Sequence, residues 1–168
     1  MVEHPGDLGR IVSGGQTGVD RAALELGRRT GIPIGGWCPA GGWAEDLTEP
    51  PGLLALFPEL RETSSADPRV RTEWNVRDSS ATLVLIRRDV ESPGTETAIE
   101  VVRQLGRAHL VANVGDVATV RTWLAGLPSG VVLNVAGPRE SEAPGIHAQA
   151  ASLLAAVLDG EAGAQLDL

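Results

Sequence analysis

The chain has 168 residues, of which 42% are hydrophobic and 21% charged, an ordinary balance for one soluble globular domain with a sizeable core. Its 14 Lys and Arg stand against 22 Asp and Glu, a formal charge of -8, which argues against non-specific attraction to nucleic acid or an anionic membrane surface. The one cysteine, Cys38, excludes an intrachain disulfide and a cysteine-rich zinc site, and three scattered His do not suggest a metal centre.

Met1 to Gly9 is polar, contains Pro5, Gly6 and Gly9, and reads as a loose arm. Met1 to Arg10 holds no apolar signal core, and no apolar run is long enough to span a bilayer, so a cytoplasmic protein is expected. Arg10 to Ser13 predicts a first strand. Ser13-Gly14-Gly15-Gln16-Thr17-Gly18 then forms a glycine-rich turn, and Val19, Ala22, Ala23 and Leu26 recur at helical spacing up to Gly31. Such a turn at a helix N-terminus can gather N–H groups around an anion, with Ser13, Gln16 and Thr17 adding side-chain donors. The structural alternative is a capping box with Thr17 as N-cap and Asp20 as its N3 partner. Neither the dinucleotide fingerprint nor the P-loop is matched.

Ile32 to Trp37 predicts a second strand, followed by the glycine-rich loop Cys38 to Asp46. Leu47 to Asp67, with Pro50, Pro51 and Pro58, reads as a long loop with one turn of helix around Leu53 to Phe57. Pro68 to Asp78 predicts a helix with Arg71 and Asn75 on one face. Ala81 to Ile86 is a continuous apolar run of the kind found in a central parallel strand. The turn Ser92 to Thr97 precedes a helix marked by Ala98, Val101, Val102 and Leu105. A strand at His109 to Val114, a helix at Val117 to Leu124 and a strand at Val131 to Val135 follow. The strongest amphipathic helix carries Ile146, Ala150, Leu153, Leu154, Val157 and Leu158, and residues 161–168 read as a frayed tail. Strand and helix alternate throughout, which predicts a single-domain α/β fold: a Rossmann-like three-layer arrangement with a mostly parallel sheet of five or more strands. Rossmann-like and flavodoxin-like strand orders both fit.

Four glycine-bearing loops leave strand carboxyl ends in this scheme: 14–18, 38–46, 92–97 and 136–139. In a parallel sheet they share one edge, where α/β proteins bind ligands. Gly94, Thr95 and Thr97 offer a second anion site at a helix N-terminus, although a threonine there also serves as a cap. Arg139, behind Gly137 and Pro138, either grips a phosphate or pairs with Glu140 or Glu142. Glu45 and Asp46 either grip ribose or amino groups, act as general base, or are solvated; Cys38 is either a ligand or an inert buried thiol.

The blocks Ser13 to Arg21, Gly35-Gly36-Trp37-Cys38-Pro39, Ala44-Glu45-Asp46, Arg71 with Asn75-Val76, Asp78 before Thr82-Leu83-Val84, Gly94-Thr95, and Leu133 to Arg139 together resemble the molybdenum cofactor carrier family, in matching order from Arg10 to Leu158. That family is related to the Lonely Guy phosphoribohydrolases and the DprA-like proteins. The resemblance implies a Rossmann-type fold, a dimer or tetramer, and a pocket for an anionic pterin or nucleotide. It further implies the molybdenum cofactor as cargo, its metal carried by the pterin rather than by protein ligands, and molybdoenzymes as partners. Gly14, Gly15, Gln16, Thr17, Gly18, Cys38, Arg71, Asn75, Gly94, Thr95, Thr97, Gly137 and Arg139 would form the binding site. Two rivals stand beside the carrier. One is a phosphoribohydrolase using Glu45, Asp46 or Glu96, although Ser92-Pro93-Gly94-Thr95 only partly resembles the Pro-Gly-Gly-x-Gly-Thr turn of such enzymes. The other is a nucleotide-sensing protein.

Overall fold

The computed structural model describes residues 7–158; the predicted arm up to residue 6 and the predicted tail at 161–168 lie outside them. At its edge the arm is tied down: the Gly9 N–H donates to Val131 O and the Gly130 N–H to Asp7 O, each at 2.9 Å.

Five strands form the main sheet: β1 (Arg10–Val12), β2 (Ile34–Gly35), β5 (Ala81–Ile86), β6 (Ala108–Asn113) and β7 (Val132–Ala136). All pair in parallel, in the order β2-β1-β7-β5-β6. The helices are α1 (Val19–Thr30), the short α2 (Leu53–Leu56), α3 (Pro68–Arg77), α4 (Pro93–Gln104), α5 (Val117–Ala125) and α6 (Ile146–Leu158). The crossover through α1 runs from β1 towards one edge, and the crossover through α4 runs from β5 towards the other. Right-handed connections therefore put α1 and α4 on opposite faces. α1 and α5 pack with α6 on one face and α3 with α4 on the other, which completes three layers. Both faces of β5 are thus covered, and Ala81 to Leu85 are all buried. Ile11, Leu83, Leu85 and Leu133 from the sheet meet Leu24, Ile146, Leu153 and Leu154 from the helices in the main core.

Neither expected strand order holds when strands are numbered in chain sequence. If the count starts at β7 instead of β1, however, the order becomes 3-2-1-4-5, the Rossmann arrangement. The fold is Rossmann-like with its chain start displaced. The reversal of direction, and hence the crevice, lies between β7 and β5.

Two local expectations are corrected. The predicted strand Ile32 to Trp37 is broken at Gly36 (φ 132°): Ile34–Gly35 pairs with β1, while β3 (Trp37–Cys38) pairs with β4 (Arg61–Glu62) in a separate two-stranded sheet. The strand β4 falls inside the stretch read as loop. The predicted turn 92–97 is already helical from Pro93, because the Ser92 side chain caps the Thr95 N–H and proline at the first helical position has no N–H to satisfy.

Candidate functional site

The loop after β1 is built by internal bonds. The Ser13 hydroxyl accepts the Gly15 N–H and donates to Asp20 O; the Arg21 side chain donates to Gly15 O. The capping box, the structural alternative for this turn, does not form. Gly18 is the N-cap, at φ 81°, with no side-chain cap bond, and the Val19 N–H donates instead to Pro138 O at 3.3 Å. A Cβ at Gly18 would strike that same Pro138 carbonyl, so glycine is required where the loops after β1 and β7 cross. Thr17 is turned away from the helix: its hydroxyl bonds the Glu45 carboxylate and accepts the Glu140 N–H.

The carboxyl ends of β1, β5 and β7 open onto a cavity of about 270 Å³. Gly14, Gln16 and Asp20 line it from the first loop, and Ser92, Pro93, Gly94 and Thr97 from the start of α4. Asn134 to Gly137 and Arg139 line it from β7 and beyond, and the face of α3 bearing Arg71, Thr72 and Asn75 forms the remaining wall. The cavity therefore sits at the crevice that the strand order defines.

Its charges are unevenly committed. Asp67 caps α3 through the Arg69 N–H, and Glu142 accepts the Arg139 N–H at 2.9 Å and the Ser92 hydroxyl at 3.0 Å. Arg71, buried, donates to Gly14 O at 3.1 Å and lies 4.0 Å from the Asp20 carboxylate. Burial pushes the Arg71 guanidinium below its ordinary range, Asp20 pulls it back, and the nearby Arg139 adds to the lowering. Two guanidiniums that repel each other across one cavity form a setting that an anion relieves. Arg139 lies over the Trp43 ring at 5.5 Å and has no ion-pair partner among the described residues. At the start of α4, the Gly94 N–H has no protein partner among the described residues, and nothing lies within 4 Å of where a Cβ would stand.

Gln16, expected as one donor among several, and Asp20, read only as a cap partner, stand out in the structure. Gln16 is 3% exposed, and its Nε2 is a buried side-chain polar atom with no hydrogen-bond partner among the described residues. Asp20, also buried, is a cavity carboxylate whose pKa burial raises from 3.8 to about 6, against the pull of Arg71. An aspartate flanked by Val19, Ala22 and Ala23, on the buried face of a helix, was the available signal for it.

The other predicted site residues are placed differently. Gly15 packs against Leu53 and Leu60, and Cys38 lies fully buried in the core with its thiol pushed up to about 11 by burial. Thr95 is buried with its hydroxyl 2.6 Å from that of Ser92. Asn75 reaches the cavity wall, but its amide holds both the N–H and the C=O of Trp37. Glu45 and Asp46 serve the scaffold. Burial opposes the charge on Glu45, but bonds from Ser141 and Thr17 outweigh it and keep the carboxyl below the usual range. Asp46 is lowered by a two-pronged pair with Arg21, both distances 2.9 Å. Glu96 is exposed on α4. Among the described residues no cluster of His, Cys, Asp and Glu is placed to hold a metal ion, and no helix is long and apolar enough to cross a membrane.

The fold and its crevice define a Rossmann-like domain whose strands begin at a displaced point in the chain. The chain belongs to the circularly permutated YpsA SLOG family, whose profile matches residues 11–158. It is similar to a solved structure from Syntrophus aciditrophicus SB that bears the provisional name molybdenum carrier protein. The two share 33% identity over 90% of this chain and 96% of that one, with a TM-score of 0.78. The resemblance read from the sequence motifs is borne out at the level of family. No curated protein matches the chain.

Proposed function

We propose that the protein binds and shields a phosphate-bearing small molecule, the molybdenum cofactor, and acts as its carrier towards molybdoenzymes. The observation that carries the reading is the orphaned Nε2 of Gln16, a buried donor on a residue that lines the cavity together with Arg71, Arg139 and Gly94, whose N–H has no protein partner among the described residues. A buried NH₂ without an acceptor costs about 1–3 kcal/mol, a cost that a ligand acceptor removes. The phosphate would sit at the α4 N-terminus, where the helix dipole and the N–H favour an anion, with Arg139 closing over it. The provisional name of the Syntrophus aciditrophicus SB protein supports the choice of cargo. The cofactor brings its own metal, so the protein's part is to bind, orient and exclude water.

Native mass spectrometry tests this, on protein purified anaerobically from cells that make the cofactor, beside an Arg139→Ala variant. An adduct of molybdopterin mass on the wild type that is lost from the variant is the expected result. A bare wild-type protein refutes the carrier reading.

One observation favours a second reading, hydrolysis of a nucleoside monophosphate at its N-glycosidic bond. Asp20 is a cavity carboxylate with a pKa near that of a general base. Release of ribose 5-phosphate from a nucleotide, abolished by Asp20→Asn, would establish that activity in place of carriage.

A further inference from the structure

The cavity is not uniformly suited to an anion. The Gly94 N–H stands at the α4 side, whereas Asp20 lies in the first turn of α1, beside the loop after β1 and 4.0 Å from Arg71. The Asp20 carboxylate favours a ligand that presents N–H groups at that end.

Gln16 sharpens the requirement. Its Oε1 accepts the N–H groups of Thr17 at 3.0 Å and Glu45 at 2.9 Å. With the amide turned over, its NH₂ would face two donors, so the orientation is fixed by the backbone around it. The unpartnered Nε2 is therefore a donor. Asp20, four residues further on, lines the same cavity with its side chain 4.0 Å from Arg71. One donor next to a two-oxygen acceptor is the complement of a ring carbonyl followed by a ring N–H and an exocyclic amino group.

Resting on the reading that this cavity binds a phosphate-bearing ligand, we infer that Gln16 and Asp20 recognise the lactam edge shared by pterins and guanine. Gln16 Nε2 donates to the ring carbonyl, and the Asp20 carboxylate accepts the ring N–H and the amino group. Adenine offers this pair one acceptor and one amino group, one bond fewer to the carboxylate.

Isothermal titration of the full chain with neopterin monophosphate, GMP, AMP and ribose 5-phosphate tests the inference. At least one lactam ligand should bind about tenfold or more tightly than both AMP and ribose 5-phosphate, the worth of one charged hydrogen bond. Gln16→Glu keeps the oxygen that holds Thr17 and Glu45 while removing the donor, and Asp20→Asn removes the charge from the acceptor. In both variants the preference over ribose 5-phosphate should fall below about threefold. The ratio is the readout because an added charge shifts both affinities together. A tighter neopterin ligand supports the inference and assigns a pterin; a tighter GMP supports it and assigns guanine. Equal binding of AMP and both lactam ligands, or a preference that survives both substitutions, overturns it. If ribose 5-phosphate binds without any preference for a ring, the phosphate reading stands and this one falls. If none of the four binds, both fall.

Discussion

The loop after β1 and the start of α4 look alike in sequence: each is a polar, glycine-bearing turn at the head of a 12-residue helix, and each invites the same expectation of an anion cradle. The structure uses them in opposite ways. In the first loop the Gly15 and Thr17 N–H groups are held by Ser13 and Gln16 side chains of the loop itself, and the Val19 N–H by Pro138 of the loop after β7. At α4 the cap leaves the Gly94 N–H open to the cavity, with empty space where a side chain would be. A glycine motif therefore marks where backbones approach closely. Whether a ligand is among the things approaching depends on which donors remain unpaired, and among the buried side chains of the described residues that is Gln16 Nε2.

The largest effect that can break this contrast lies in the two glycines themselves. Gly18→Ala forces a Cβ into the Pro138 carbonyl at positive φ, and should cost about 3 kcal/mol or more, lowering the melting temperature by roughly 6–12 °C. Gly94→Ala should change stability by less than about 0.5 kcal/mol yet weaken phosphate-ligand binding, because its methyl projects into the space left for the ligand. Equal stability losses at the two positions would erase the distinction between a structural and a binding glycine.

A second prediction concerns the carboxylate between the two regions. Burial raises Asp20 from 3.8 to about 6, so the folded protein keeps this proton where the unfolded chain has lost it. Stability from this group is full below about pH 4 and is lost as the pH rises through about 6, a change of about 3 kcal/mol. Asp20→Asn cannot titrate. Its unfolding free energy should therefore gain on the wild type by up to about 3 kcal/mol between about pH 4 and 7, as measured by urea denaturation. A difference that does not vary with pH would mean that Asp20 is not buried against the cavity.

The smallest effect is expected on the scaffold side. Asp46→Ala removes the pair with Arg21, but the Asp46 side chain is 44% exposed, and the loss should stay below about 1 kcal/mol with no change in ligand affinity. A large drop in affinity would return Asp46 to the site.

Elements whose signals are local were legible in the sequence. Val19–Thr30 and Ala81–Ile86 were readable to the residue, because helical spacing ending at Gly31 and an unbroken apolar run depend only on near neighbours. The strand order was not, since a displaced chain start leaves every strand and helix locally unchanged while moving β7 between β1 and β5. The split at Gly36 was hidden for a similar reason, as β3 needs a partner, Arg61–Glu62, from a stretch rich in proline. At the site, the convergence of three of the four loops was readable. The division of labour within them was not. Glu45 could be read as a functional or a solvated acid, whereas Thr17 and Ser141 occupy it, and Gln16 read as one donor among several, whereas its Nε2 is the buried side-chain donor left unpaired among the described residues.

The most direct measurement is a crystal structure of the protein soaked with neopterin monophosphate. The account predicts the phosphate within about 3 Å of the Gly94 N–H and beside Arg139, with the α4 N-terminus behind it. A phosphate seated on the backbone of Gly14 to Gly18 would contradict the account, as would a cavity that stays empty at saturating ligand.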